Sequence, residues 1–170
     1  MNRDEIAREV NRLLSESNVQ EEPIPVFEVA RAVGTTLRIG PLPSELSGFL
    51  LREGESTIIG VNNLHPRTRQ NFTVAHELGH LRLHPNSSFV DRKLSFYARD
   101  SRSGKAVDER EIDANRFAAA LLMPEKLLRP YIHAKNVDLG DEHLLESIAR
   151  KFGVSTQALT YRLINLGVTK

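Results

Sequence analysis

The sequence predicts an α+β fold: a mostly helical domain with a small three-stranded sheet placed directly before a buried central helix. Three observations predict it. Apolar residues recur at helical spacing over most of the chain. Three short runs between residues 35 and 61 read as strands. The chain has 170 residues, 40% of them hydrophobic and 26% charged, which suffices for one sizeable core in a globular protein.

Residues 4–16 place Ile6, Val10, Leu13 and Leu14 on one helical face. Pro23 and Pro25 break that helix, and a second short one follows with Val26, Val29, Ala30 and Val33 apolar. Gly34 is its expected stop. Residues 35–39 read as a strand, and Gly40, Pro41 and Pro43 mark a turn. Residues 48–51 and 57–61 read as two further strands joined by the polar turn 52–55. Pro66 is a favoured first helical residue, so the next helix is expected over 66–84. Residues 86–107 are polar and irregular, long for a loop in a compact domain and therefore expected to be functional or disordered. A strong helix is expected over 108–123, then a short one to about His133, and two more over 141–152 and 156–166. The only candidate boundary falls near residues 136–140. It would divide a main domain, 1–135, from a C-terminal helical pair, 136–170, packed on the same domain.

The composition excludes several classes. There are no cysteines, so disulfides, thiolate catalysis and cysteine zinc fingers are all absent. Any transition-metal site must use histidine and carboxylate. The net charge of +1 offers no global basic field for nucleic acid. No apolar signal core or membrane-length apolar stretch is present, and a cytoplasmic protein is expected.

The chemistry concentrates in His76-Glu77-Leu78-Gly79-His80. One helical turn separates His76 from His80, so both imidazoles reach one ion. Glu77 lies about 100° around the axis and is placed to act as general base toward a water held by that ion. Gly79 keeps one flank of the helix slim. Phe72, Val74, Ala75, Leu78 and Leu81 make the helix apolar enough to be buried, and buried ionisable groups need partners. A zinc site of this type needs a third protein ligand and an open fourth position. His84 does not qualify, because it lies two turns from His76, about 12 Å along the axis. It is expected to cap the helix or contact substrate.

The third ligand is therefore sought on another helix. Glu111, Asn115, Ala118 and Leu122 form one stripe, which puts Glu111 at the edge of the apolar face of Ala114, Phe117, Ala118 and Leu121. Glu111 is chosen as ligand, with Asn115 or Asp113 orienting a ligating histidine. The spacing leaves a second reading open, because Asp108-x-x-Glu111 is also a capping-box pattern.

Here the residues resemble a known family. FTVAHELGHLRLH followed by EIDANRFAAALLMP is similar to the ImmA/IrrE zinc metallopeptidases, and the resemblance extends to ELSGFL, IIGVN and KFGVSTQALTYRL, about residues 23–167. It implies a zincin-like domain with zinc ligands His76, His80 and Glu111 and general base Glu77. Manganese or iron would suit the same donors. Related peptidases carry E-x-x-A-D, where this chain has Glu111-x-x-Ala114-Asn115, so an amide stands in the orienting place or the carboxylate has moved to Asp113. The resemblance also implies a substrate: a helix-turn-helix repressor or antitoxin whose cleavage derepresses stress or mobile-element genes. A segment within 47–61 is expected to pair with an extended substrate, and the 86–107 loop to help select it.

Residues 147–163 have the order of a helix-turn-helix, with Ala149, Gly153 and Leu159 in the small, turn and core places. Nothing densely basic flanks them, so two helices completing the core are expected rather than direct nucleic-acid binding. The alternative to a peptidase is a non-proteolytic, metal-stabilised antitoxin or DNA-binding regulator. A zinc hydrolase of small substrates is a poorer third.

Overall fold

A computed structural model of the chain describes all residues except 55, 86–88, 92–104, 136 and 169–170. The first helix, α1 (Arg3–Glu16), is opened by Asn2. The Asn2 side chain accepts from the Glu5 backbone N–H, and the Glu5 carboxylate accepts from that of Asn2, each at 2.9 Å. Its inner face is Ile6, Val10, Leu13 and Leu14, as the spacing predicts. Helix α2 (Val26–Ala32) ends before Gly34, whose φ of +83° turns the chain into strand β1 (Thr35–Gly40). Strands β2 (Gly48–Glu53) and β3 (Ser56–Asn62) form a hairpin.

Then come α3 (Arg67–Leu83), β4 (Phe89–Asp91), α4 (Lys105–Leu122), α5 (Glu125–Lys135), α6 (Glu142–Phe152) and α7 (Thr156–Asn165). The α+β architecture is the one expected, with three strands placed before α3. The structure adds a fourth, β4, from the segment expected to be an irregular loop. The remainder of that loop, 86–88 and 92–104, lies outside the described residues. Helix α4 starts at Lys105, one turn earlier than expected, and so absorbs the end of the same segment.

The sheet order is β1-β3-β2-β4. β1 runs parallel to β3, while β2 is antiparallel to both β3 and β4. β2 sits between β3 and β4, and among the described residues β4 pairs with it from Gly48 to Leu50. Asn62 closes the end of β3. Its side-chain oxygen accepts from Leu42 and Leu64 N–H, and its amide donates to the Leu46 carbonyl at 2.9 Å. That pins the 41–47 turn ahead of Gly48.

Helix α3 is buried continuously from Phe72 to His80. A helix enclosed on all sides has no polar face, which is why its apolar residues show no single stripe. Leu50 and Ile59 from the sheet, Phe72 and Leu78 from α3, and Phe117 and Leu121 from α4 lie in one hydrophobic core. Each such side chain contributes about 1.5–3 kcal/mol by leaving water. The same core takes in Ile148, Phe152 and Leu159 from α6 and α7. Between those helices Gly153 adopts φ +63° and Ser155 caps α7. The Gly153 carbonyl accepts from Asn71 Nδ2 at 3.0 Å, and Arg162 Nε donates to the Met123 carbonyl at 3.1 Å. Arg82 clamps the other end of α3 to α1, donating to Glu9 at 2.6 Å and Glu16 at 2.9 Å.

Candidate metal centre

His76 and His80 project from the same face of α3, both fully buried, with ring centroids 4.6 Å apart. Their Nε2 atoms lie 2.9 Å from each other. Glu111 enters from α4 and meets both rings: Oε2 is 3.2 Å from His76 Nε2, and Oε1 is 3.2 Å from His80 Nε2. These three side chains are the metal-capable group found among the described residues. The Glu111 side chain is 26% exposed, so the group opens to solvent on the α4 side.

The donors suit a small divalent ion. Asn115, one turn after Glu111, places Oδ1 3.0 Å from His76 Nδ1. An amide oxygen only accepts, so Nδ1 carries the proton and Nε2 presents a lone pair. Two ligands bound at about 2.0–2.1 Å in a tetrahedral zinc site stand about 3.3 Å apart. The observed spacings of 2.9 and 3.2 Å are close to that edge. Two imidazoles and a carboxylate, with a solvent-facing side, are the donor set of an open zinc site.

Burial alone pushes the Glu111 carboxyl up, but the hydrogen bonds and charges of His76 and His80 outweigh it and hold its pKa at about 2. Burial lowers His80 below its ordinary 6.5 despite Glu111, and it also lowers His65 and His84. A histidine with a depressed pKa enters the fold uncharged, so unfolding takes up a proton once the pH falls under 6.5. The stabilisation is complete above that pH and is lost as the pH falls toward the folded pKa. The melting temperature of the metal-free chain is therefore expected to drop between pH 7.5 and 5.5. A constant melting temperature over that range would contradict these histidine environments.

Glu77 is fully buried next to His76 on α3, with its Oε1 toward β2. A Cβ built on Gly48 would stand 3.6 Å from Glu77 Oε1, and only 2.4 Å from Thr73 Cγ2 and 2.6 Å from the Gly60 carbonyl. Gly48 thus lets β2 lie flat against the helix at Glu77. Gly79 does the same on the flank facing α4. A Cβ there would meet the Ala114 Cα and carbonyl oxygen at 3.1 Å and Phe117 Cβ at 3.2 Å. This close approach brings Glu111 within reach of the histidines. Gly79→Val is expected to force α3 and α4 apart, costing about 1–3 kcal/mol of stability. Zinc affinity should fall with it by at least tenfold. Thermal melts and a chelator competition read both, and a variant with wild-type values would show that α4 retreats freely.

The structure thus gathers His76, His80, Glu111 and Asn115, with Glu77 alongside on α3. Asp113 is turned elsewhere: its carboxylate accepts from the Met1 amine at 2.8 Å and lies 3.6 Å from Arg116. His84 is the C-cap of α3, its backbone N–H bonded to the His80 carbonyl. Its ring bonds to the Arg110 backbone, next to Glu111. Sequence reasoning misses Gly48, for which the signal is a glycine inside a strand. It also misses Arg69, whose guanidinium donates to Ser47 Oγ at 2.8 Å and so fixes the residue before Gly48.

Comparison with known proteins places the site in a family context. The Peptidase_M78 family, described as the IrrE N-terminal-like domain, matches residues 30–164. The chain is 29% identical over 133 residues to the uncharacterized immunity region protein 2 of Bacillus phage phi105, covering 77% of this chain and 74% of that protein. A solved structure of a Mycobacterium tuberculosis transcriptional regulator superposes with a TM-score of 0.65 at 19% identity. It covers 94% of this chain but 46% of that regulator, so the chain spans under half of its length. At that identity the likeness is one of fold.

Proposed function

The chain belongs to the Peptidase_M78 family of IrrE N-terminal-like domains, and from that premise we propose that it is a zinc-dependent, site-specific endopeptidase that cuts a regulatory protein. The observation that carries this reading is the convergence of His76, His80 and Glu111 with Glu77 buried beside them.

In this reading His76, His80 and Glu111 hold the ion, and Asn115 fixes the His76 ring and its tautomer. A bound zinc ion would lower the pKa of a water molecule and polarise the scissile carbonyl. Glu77 accepts the proton of the attacking water and returns it to the leaving amine. Its burial against Gly48 confines the carboxylate to one place. Asn115→Ala leaves His76 Nδ1 without that acceptor and is expected to weaken zinc binding by about 10–100-fold. Isothermal titration at pH 7.5 checks this, and unchanged affinity would remove Asn115 from the role.

A substrate adding itself to the sheet finds β3 enclosed between β1 and β2. Within residues 47–61 and among the described residues, the edge proposed for a substrate is the far part of β2, Leu51 to Glu53, beyond its pairing with Phe89–Asp91. The implied substrate is a helix-turn-helix repressor or antitoxin. The relative in a phage immunity region and the fold shared with a transcriptional regulator support a regulatory target. The shared core supports reading 1–135 and 136–170 as one unit, with α6 and α7 structural rather than DNA-reading. Among the described residues no helix is long and apolar enough to cross a membrane, in keeping with a proposed cytoplasmic role.

The test mixes the purified chain and zinc with any helix-turn-helix repressor found encoded beside its gene. A single cut, abolished by chelation and by Glu77→Gln, is the expected result. Biological activity retained by Glu77→Gln would instead support a metal-stabilised, non-proteolytic regulator.

A further inference from the structure

A second concavity, built without any residue of the metal group, lies between α1, α4, the start of α5 and α7. It encloses about 410 Å³, inside the range of about 300–1,000 Å³ typical of small-molecule sites. Its floor is apolar: Ile6, Val10 and Ala120 line it and are buried. Its walls are cationic. Arg3, Lys126 and Arg162 line it, and Arg116 joins them while leaning toward Asp113. The acidic member of the lining, Glu125, is engaged by Arg129 in an ion pair. Among the described residues no carboxylate stands within 4.0 Å of Arg3, Lys126 or Arg162.

The chain carries a net charge of only +1, yet four positive side chains, Arg3, Arg116, Lys126 and Arg162, gather around this apolar floor against the single lining carboxylate of Glu125. Burial first, and then the charge of Arg3, bring the Arg162 guanidinium down to about 10, with Glu125 opposing. One edge of that guanidinium is fixed, since Nε donates to the Met123 carbonyl. Arg162 is at the same time a lining residue of the cavity.

We propose that this cavity binds a small anionic amphipath: an apolar body on Ile6, Val10 and Ala120, and a carboxylate or phosphate head between Arg162, Arg3 and Lys126. An uncharged ligand of equal size would gain nothing from the cations, and a cationic one would be repelled. The inference stands apart from the peptidase reading, because it uses none of the residues assigned to hydrolysis.

The test titrates the full chain calorimetrically, with and without zinc, using decanoate and decyl phosphate below their micellar concentrations. Decanol and decyltrimethylammonium serve as controls of equal length. One saturable site per chain is expected for at least one anion, with both controls at least tenfold weaker. The tighter of the two anions identifies the head group. Arg162→Gln is expected to weaken the anion at least tenfold. Because Arg162 also supports Met123, two exposed positions give a second check: Lys126→Gln removes a head-group partner, and Ala7→Leu fills the mouth. The proposal is overturned if neither anion binds saturably, if decanol binds as tightly, or if Lys126→Gln and Ala7→Leu both bind like wild type.

Discussion

Replacing Glu77 by glutamine is expected to abolish peptide cleavage while leaving zinc bound at wild-type stoichiometry. The substitution keeps the shape of a fully buried side chain and removes only its ability to take a proton. A positioned general base contributes about 10²–10⁴-fold, equal to roughly 3–5 kcal/mol of transition-state stabilisation. The loss should appear in kcat with little change in KM, since glutamine touches the same neighbours. Fold integrity is read from the melting temperature, and metal content from elemental analysis. Cleavage within tenfold of wild type would remove Glu77 from the chemistry. It would leave the carboxylate as a buried polar group beside Gly48 with no part in turnover.

His80→Ala should fail differently. It removes one of three protein donors from the group formed with His76 and Glu111. Zinc sites are worth about 10–16 kcal/mol. Divided among the protein ligands, each is worth on the order of 3–5 kcal/mol, so affinity should fall by at least two orders of magnitude. Activity falls with metal content and recovers in part at high zinc, which Glu77→Gln cannot do. Since the alanine also leaves a void in a closed core, His80→Gln is the companion variant, similar in volume. Wild-type zinc affinity in both would mean that the ion, if bound, sits elsewhere.

What could be read in advance follows from how far each feature reaches along the chain. The pairing of His76 with His80 is a property of one helical turn, so spacing alone conveys it. The orientation of Glu111 was legible as a direction, because Phe117, Ala118 and Leu121 mark the inward face of α4. Its distance from the histidines was not, since that depends on Gly79 admitting the α4 backbone. The choice between Asn115 and Asp113 needed tertiary information as well. Both lie close to Glu111 in sequence, but only the fold turns Asn115 onto His76 and Asp113 toward Met1 and Arg116. The three strands before α3 carry enough β-favouring residues to be seen. Strand β4 does not, because three residues hold no periodicity and its pairing with Gly48–Leu50 is a long-range event.

The two helices that meet at Gly79 bring together donors separated by roughly thirty residues of chain between His80 and Glu111. An ion held there acts as a reversible cross-link, closing that loop much as a disulfide would in a chain that has no cysteine. Its strength is set by supply: free zinc at about 100 times its dissociation constant adds about 2.7 kcal/mol to the folded state. The lifetime of the folded chain would then follow the availability of the same ion that the proposed hydrolysis requires.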